Sequence, residues 1–141
     1  MSNANLSRSI GDEAALYDAI LTGAKLREST FERAHFEGAD LTAADFTQAN
    51  LANSYFYGAN LHRATLSGTD FLEADLRRAN LAKANMEQAN LQGALLDGAQ
   101  LYGARLVEAD LEGAYCDEAD LREASFHDAL LRGAHLRFAN L

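Results

Sequence analysis

The chain has 141 residues, 48% of them hydrophobic, with one cysteine and no proline, and a formal net charge of −9. That length makes one domain, and the acidic balance excludes general binding to nucleic acid phosphate or docking on an anionic membrane, both of which need clustered Lys and Arg. A single cysteine forms no internal disulfide.

At the N-terminus, residues 1–20 lack the apolar core of a signal peptide, and no segment is long enough to span a bilayer; cytoplasmic residence is expected. Residues 1–18 keep a five-residue repeat only in part. Ala4-Asn5-Leu6 fits it, Gly11 occupies a centre, and Leu16 fits again. Ser9 followed by Asp12 and Glu13 can open a short helix, with the acids near its positive end.

From Ala19 to Leu141 the repeat is unbroken. Every fifth residue from Leu21 is Leu or Phe, except Met86 and Cys116, and the position two before each is Ala, except Ser29, Ser54 and Thr69. Asp or Asn often stands between, as in Ala39-Asp40-Leu41, Ala59-Asn60-Leu61 and Ala119-Asp120-Leu121. A period of 5 is neither the 3.6 of a helix nor the 2 of a strand. It marks a solenoid, in which each unit buries its apolar face against its neighbours.

These residues resemble the pentapeptide-repeat family, whose pattern is A(D/N)LXX. The resemblance implies an all-β fold, a right-handed quadrilateral parallel β-helix with four pentapeptides to a coil. The chain then divides into residues 1–18, a cap over the open end of the solenoid or a degenerate first coil, and residues 19–141, the β-helix. At the inter-strand spacing of ~4.8 Å, roughly six coils make a rod on the order of 30 Å long. The absence of proline agrees, because proline would remove ladder hydrogen bonds.

Adding twenty sorts the centres into four faces. The first carries Leu21 to Leu141, the second Leu26, Phe46, Leu66, Met86, Leu106 and Phe126, and the third Phe31, Leu51, Phe71, Leu91, Leu111 and Leu131. The fourth carries Phe36, Phe56, Leu76, Leu96, Cys116 and Leu136. The aromatic centres read as interior packing, and Cys116 as a buried small hydrophobe. The Asp and Asn before the centres read as turn chemistry, because Asx side chains bond neighbouring backbone groups.

No enzyme is expected. His62, His127 and His135 fall on different faces, and His35 lies ~24 Å from His135, beyond joint metal ligation. No nucleophile has a partnered base, and no glycine-rich phosphate loop occurs. No catalytic residue, metal site or cofactor is assigned, and a rod with a filled core offers no obvious pocket.

Three surface features depart from the repeat. On the fourth face the position before the centre reads His35, Tyr55, Asp75, Leu95, Tyr115, His135. Tyr55, Tyr57, Leu95 and Tyr115 form a candidate protein-contact stripe flanked by Arg77, Asp97 and Asp117, with tolerated surface drift as the alternative. Between Asp97 and Asp128 nine acids stand against Arg105 and Arg122, after a basic band at Arg77, Arg78 and Lys83; a solvated surface that keeps a regular rod soluble explains this equally. At the C-terminus, Phe126, Leu131, Leu136, Phe138 and Leu141 lie at or near an open end, a candidate tail-to-tail homodimer contact, with a frayed last coil as the alternative.

The functional expectation is a non-enzymatic protein-interaction or scaffold module with an unidentified protein partner. The unbroken repeat looks most like bacterial, especially cyanobacterial, family members without an established biochemical role. The alternative is the quinolone-resistance type of the family, acidic rods resembling duplex DNA that bind DNA gyrase. This chain is short, lacks projecting loops and carries a basic band, and in those respects departs from that type.

Overall fold

The computed structural model describes residues 2–141. Every fifth residue forms a parallel bridge to the residue twenty positions on, from Asn5 with Lys25 to Asp120 with Asn140. Each coil therefore consumes twenty residues and turns four times, and the chain is an all-β solenoid with a register that never slips.

The turn explains the period. The N–H of each small residue donates to the carbonyl of the centre three before it, as Ala24 to Leu21 at 2.9 Å and Ala44 to Leu41 at 2.9 Å. The second turn residue always has positive φ, from Asn3 at 58° to Phe138 at 60°. Positive φ at that place alone defines a type II turn, which favours glycine there. Nine of these positions are glycine, but Glu, Arg, Lys and Gln hold others. A left-handed residue with a Cβ costs roughly 1–2 kcal/mol, so ladder bonds and core burial sustain the conformation.

Between turns the backbone bonds vertically. Leu41 N–H donates to Asn60 O at 2.8 Å, Ala43 N–H to His62 O at 2.9 Å, and Asp45 N–H to Ala24 O at 2.9 Å. Inside, the centres and small residues from Leu21 to Leu121 make one continuous apolar core. Phe36 stacks on Phe56 with centroids 4.7 Å apart and rings 7° from parallel, and Phe46 and Phe71 meet this pair edge-on. Ser29, Ser54 and Thr69 are buried in the alanine column. Their hydroxyls donate to the carbonyls of Leu26, Leu51 and Phe46, so no unsatisfied group results.

Residues 2–18 do not form the helix expected from Ser9, Asp12 and Glu13. The turn-and-bridge pattern runs through position 18 without a change, and Asn5, Ile10 and Ala15 pair with Lys25, Thr30 and His35. Arg8 and Glu13 have φ of 60° and 59°, incompatible with a right-handed helix, and Ser9 donates its hydroxyl back to Leu6 O at 2.6 Å instead of capping. Gly11 is no break either, because the ring of Phe31 fills its place in the interior.

Candidate functional site

The Asp and Asn side chains are occupied by the scaffold. Asn60 Oδ1 accepts the His62 N–H at 3.2 Å, and the same Asx bond joins Asp40 to Thr42, Asp70 to Leu72 and Asp110 to Glu112. Side chains also link coils: Asn80 Nδ2 donates to Asn60 Oδ1 at 3.1 Å and Asn90 Nδ2 to Asp70 Oδ1 at 2.8 Å. Cys116 is buried in a centre position, and loss of hydration pushes its thiol up to about 12.

The fourth face carries the exposed aromatic residues and a shallow groove of about 520 Å³. Sequence reasoning expected no pocket. The filled core behaves as expected, but the outer corner does not stay convex. In the second-turn column Gly98 stands between Arg78 and Glu118, and its missing side chain opens a notch. Tyr57, Arg77, Asp97, Tyr115, Asp117 and Arg137 complete the lining.

Of the expected contact residues, the structure brings Tyr57 and Tyr115 to the groove, with 44% and 42% of their surfaces exposed. Tyr55 stands outside its lining. Its ring stacks on His35 at 4.6 Å and 11°, and His35 also faces Tyr17 at 5.0 Å. Leu95 is half-buried on the ladder between Asp75 and Tyr115 and does not line the groove. Arg78, Gly98, Glu118 and Arg137 were missed. Their signal was present, since adding twenty to Gly58 yields Arg78, Gly98 and Glu118.

Ion pairs brace the two margins. Arg77 grips Asp75 through Nε at 2.8 Å and Nη2 at 2.7 Å, and this hydrogen bonding holds the Asp75 carboxyl below the usual carboxylate range. Arg137 donates Nε to Asp117 Oδ2 at 2.9 Å, and its backbone N–H donates to Oδ1 at 2.8 Å. Asp117 is shifted down by that guanidinium in the same way. Arg78 lies over the ring of Tyr57 at 6.0 Å and, among the described residues, has no carboxylate partner.

The acidic run between Asp97 and Asp128 becomes a belt, not an axial track. Asp120 and Glu123 lie on the first face, Glu108 on the second, Asp110 and Glu112 on the third, and Asp97 and Asp117 on the fourth. Arg122, Arg132 and Arg137 pair with Asp120, Glu112 and Asp117 within it. A coil of twenty residues necessarily wraps a local charge run around the rod. Axial charge comes from positions twenty apart, and there the third face is acidic: Asp12, Glu13, Glu32, Asp70, Glu73, Asp110 and Glu112 are opposed across its length by Arg33 and Arg132.

At the C-terminal end, Phe138 and Leu141 are 88% and 77% exposed; Leu131 is exposed, and Phe126 and Leu136 are half-buried. Ile10, Tyr17 and Ile20 are likewise exposed in the first coil.

A solenoid of five-residue units with Asx turns and apolar centres defines a class, and the chain belongs to it: the pentapeptide repeats family model matches in 8 copies, across residues 1–27, 19–56, 34–71, 74–113 and 109–141. Among solved structures the chain is similar to HetL, a pentapeptide repeat protein involved in heterocyst differentiation regulation from the cyanobacterium Nostoc sp. strain PCC 7120. That match has a TM-score of 0.75 at 24% identity, over 99% of this chain and 88% of that one. It is also similar to a pentapeptide repeat protein from the Arabidopsis thaliana thylakoid lumen, with a TM-score of 0.63 and 34% identity over 64% of this chain and 63% of that one. QnrB1, a plasmid-mediated fluoroquinolone resistance protein, matches with a TM-score of 0.55 and 21% identity over 99% of this chain and 75% of that one. No curated protein matches the chain.

Proposed function

We propose that the chain is a non-enzymatic protein-interaction module that presents its fourth face to a protein partner. The observation that carries this reading is the groove between Tyr57 and Tyr115, two half-exposed aromatic residues that line it, on a rod whose aromatic centres from Phe31 to Phe71 are buried. Tyrosine combines a large apolar body with a hydroxyl and is enriched where proteins meet. Pentapeptide repeat proteins are generally structural or interaction modules, which supports the same assignment. The test is affinity capture from bacterial lysate with the natural protein and a Tyr57→Ser, Tyr115→Ser variant whose melting is unchanged. A partner retained by the natural protein and lost by the variant is the expected result; equal capture by both removes the fourth face as the contact.

A second reading, an acidic mimic of duplex DNA that binds DNA gyrase, is favoured by the axial charge of the third face. It expects inhibition of gyrase supercoiling that weakens with salt and with Asp70→Asn, Asp110→Asn substitution. Inhibition indifferent to both would sink it. We further propose that Phe126, Leu131, Leu136, Phe138 and Leu141 join two copies tail to tail. Sedimentation should then give a dimer mass that Phe138→Ser lowers to the monomer, and a monomer mass for the natural protein at high micromolar concentration would count against it.

A further inference from the structure

Three charged residues of the groove lining have no ion pair among the described residues: Arg78, Glu118, and Asp97, whose Oδ1 accepts the Asp117 backbone N–H at 3.0 Å. Arg77 is engaged by Asp75 and Arg137 by Asp117. Arg78 meets only the Tyr57 ring at 6.0 Å, and Glu118, two coils further along the same column, has no cation partner among the described residues. Gly98 lies between them. A Cβ there would find its nearest neighbour, Arg78 Cγ, at 3.7 Å, so the notch is room left by an absent side chain and not a collapsed gap.

We propose that this groove binds a proline-rich segment of a partner protein in the polyproline II conformation, with an acidic side chain on Arg78 and a basic one three residues away on Glu118. The inference rests on the reading of the fourth face as an interaction surface and names the chemistry of its occupant.

Spacing selects the conformation. The backbone levels of Arg78 and Glu118 are two coils apart, about 9.6 Å at the inter-strand spacing. Polyproline II has three residues per turn and rises about 3.1 Å per residue, so side chains three apart point the same way about 9.3 Å apart. A β-strand places same-side residues about 6.8 Å or about 13.6 Å apart, and neither matches. An α-helix is about 10–12 Å across with its side chains, too wide for a notch one side chain wide.

The remaining groups suit the same occupant. Polyproline II makes no internal hydrogen bonds, so its carbonyls are free to accept from tyrosine hydroxyls and guanidinium groups. Aromatic-lined grooves are its usual docking surface. Tyr57 and Tyr115 stand three coils apart and bracket the notch, and the groove volume of about 520 Å³ falls within the ~300–1,000 Å³ of ligand sites.

The test is calorimetric titration of the full chain with synthetic capped peptides. One carries Glu-Pro-Pro-Lys within a proline run, others move the two charges one residue closer or further, and one carries Lys-Pro-Pro-Lys. Saturable binding strongest at the three-residue spacing is expected. Arg78→Glu should weaken Glu-Pro-Pro-Lys roughly five- to tenfold and bind Lys-Pro-Pro-Lys better than the natural protein does. Gly98→Gln should block the notch while the coil still forms, since Arg78 and Glu118 adopt the same left-handed φ in that column. No saturable binding, or affinity indifferent to spacing and to Arg78→Glu, overturns the proposal. If that occurs while partner capture still depends on Tyr57 and Tyr115, only the polyproline assignment is lost. If capture is indifferent as well, the interaction face falls with it.

Discussion

Phe31 occupies interior space that Gly11 leaves open one coil below: a Cβ built on Gly11 would lie 2.1 Å from Phe31 Cε1 and 2.5 Å from Cδ1. The two residues stand in one column, where every later centre is apolar and large or medium-sized. The apparent defect in the repeat is half of a packing pair, and it keeps residues 2–20 in register with the coil above.

Gly11→Leu, which restores the usual centre, should therefore destabilise the protein by roughly 1–3 kcal/mol through overpacking. Phe31→Leu in the same chain should recover much of that loss. The coupling is read from a double-mutant cycle of urea melts, and additive effects would show that the ring moves aside at no cost.

Gly58 has φ of 65°, and a Cβ there would meet no atom within 4 Å. Gly58→Ala isolates the conformational cost of the left-handed turn residue, expected at about 1 kcal/mol of lost stability. Thermal melting measures it; no loss would mean that the turn accepts a Cβ without cost.

Asn60 holds three contacts: it accepts from His62 N–H at 3.2 Å and Asn80 Nδ2 at 3.1 Å, and donates to Thr42 Oγ1 at 2.8 Å. Asn60→Ala should cost about 1–2 kcal/mol. Asn60→Asp keeps the acceptor but loses the donor, and should fall between the two in denaturant melts.

Stability should fall on acidification. The Thr42 hydroxyl, then its backbone N–H, lower the Asp40 carboxyl, and the hydrogen bonds of Arg77, Arg137 and Arg122 lower Asp75, Asp117 and Asp120. A carboxylate with a depressed folded-state pKa contributes stability that is complete above its unfolded value, about 3.9, and is lost as pH drops through the folded one. Melting temperature should hold from pH 7 to about 5 and decline below about 4. The combined Asp40→Asn, Asp75→Asn variant should decline less steeply.

Cys116 should be inert. Its thiol is buried and shifted up to about 12 by lost hydration and then by Asp97 and Asp117, so a thiol reagent at pH 8 should react only at the rate of unfolding. Rapid labelling of the folded protein would show that the coil opens locally around it.

The amino-acid order alone determined the period and the interior columns, because a bulky centre and a small residue recur every five positions without a slip. The twenty-residue coil was implied by the family resemblance, and the ladder from Asn5–Lys25 to Asp120–Asn140 shows it. The order also revealed Tyr57 and Tyr115 as outward residues. The tertiary structure decided what those columns become when neighbours pack. Tyr55 joins a stack with His35 and leaves the groove; Arg77 and Arg137 turn to Asp75 and Asp117; Arg78 and Glu118 stay unpaired about the Gly98 notch. Stacking likewise made a first coil of a segment that read as a helical start, because ladder bonds to residues 22–40 outweigh the local preference of Ser9, Asp12 and Glu13. Side-chain pairing depends on contacts between residues twenty positions apart and on which rotamers those contacts leave open, and these arise only once the coils are stacked.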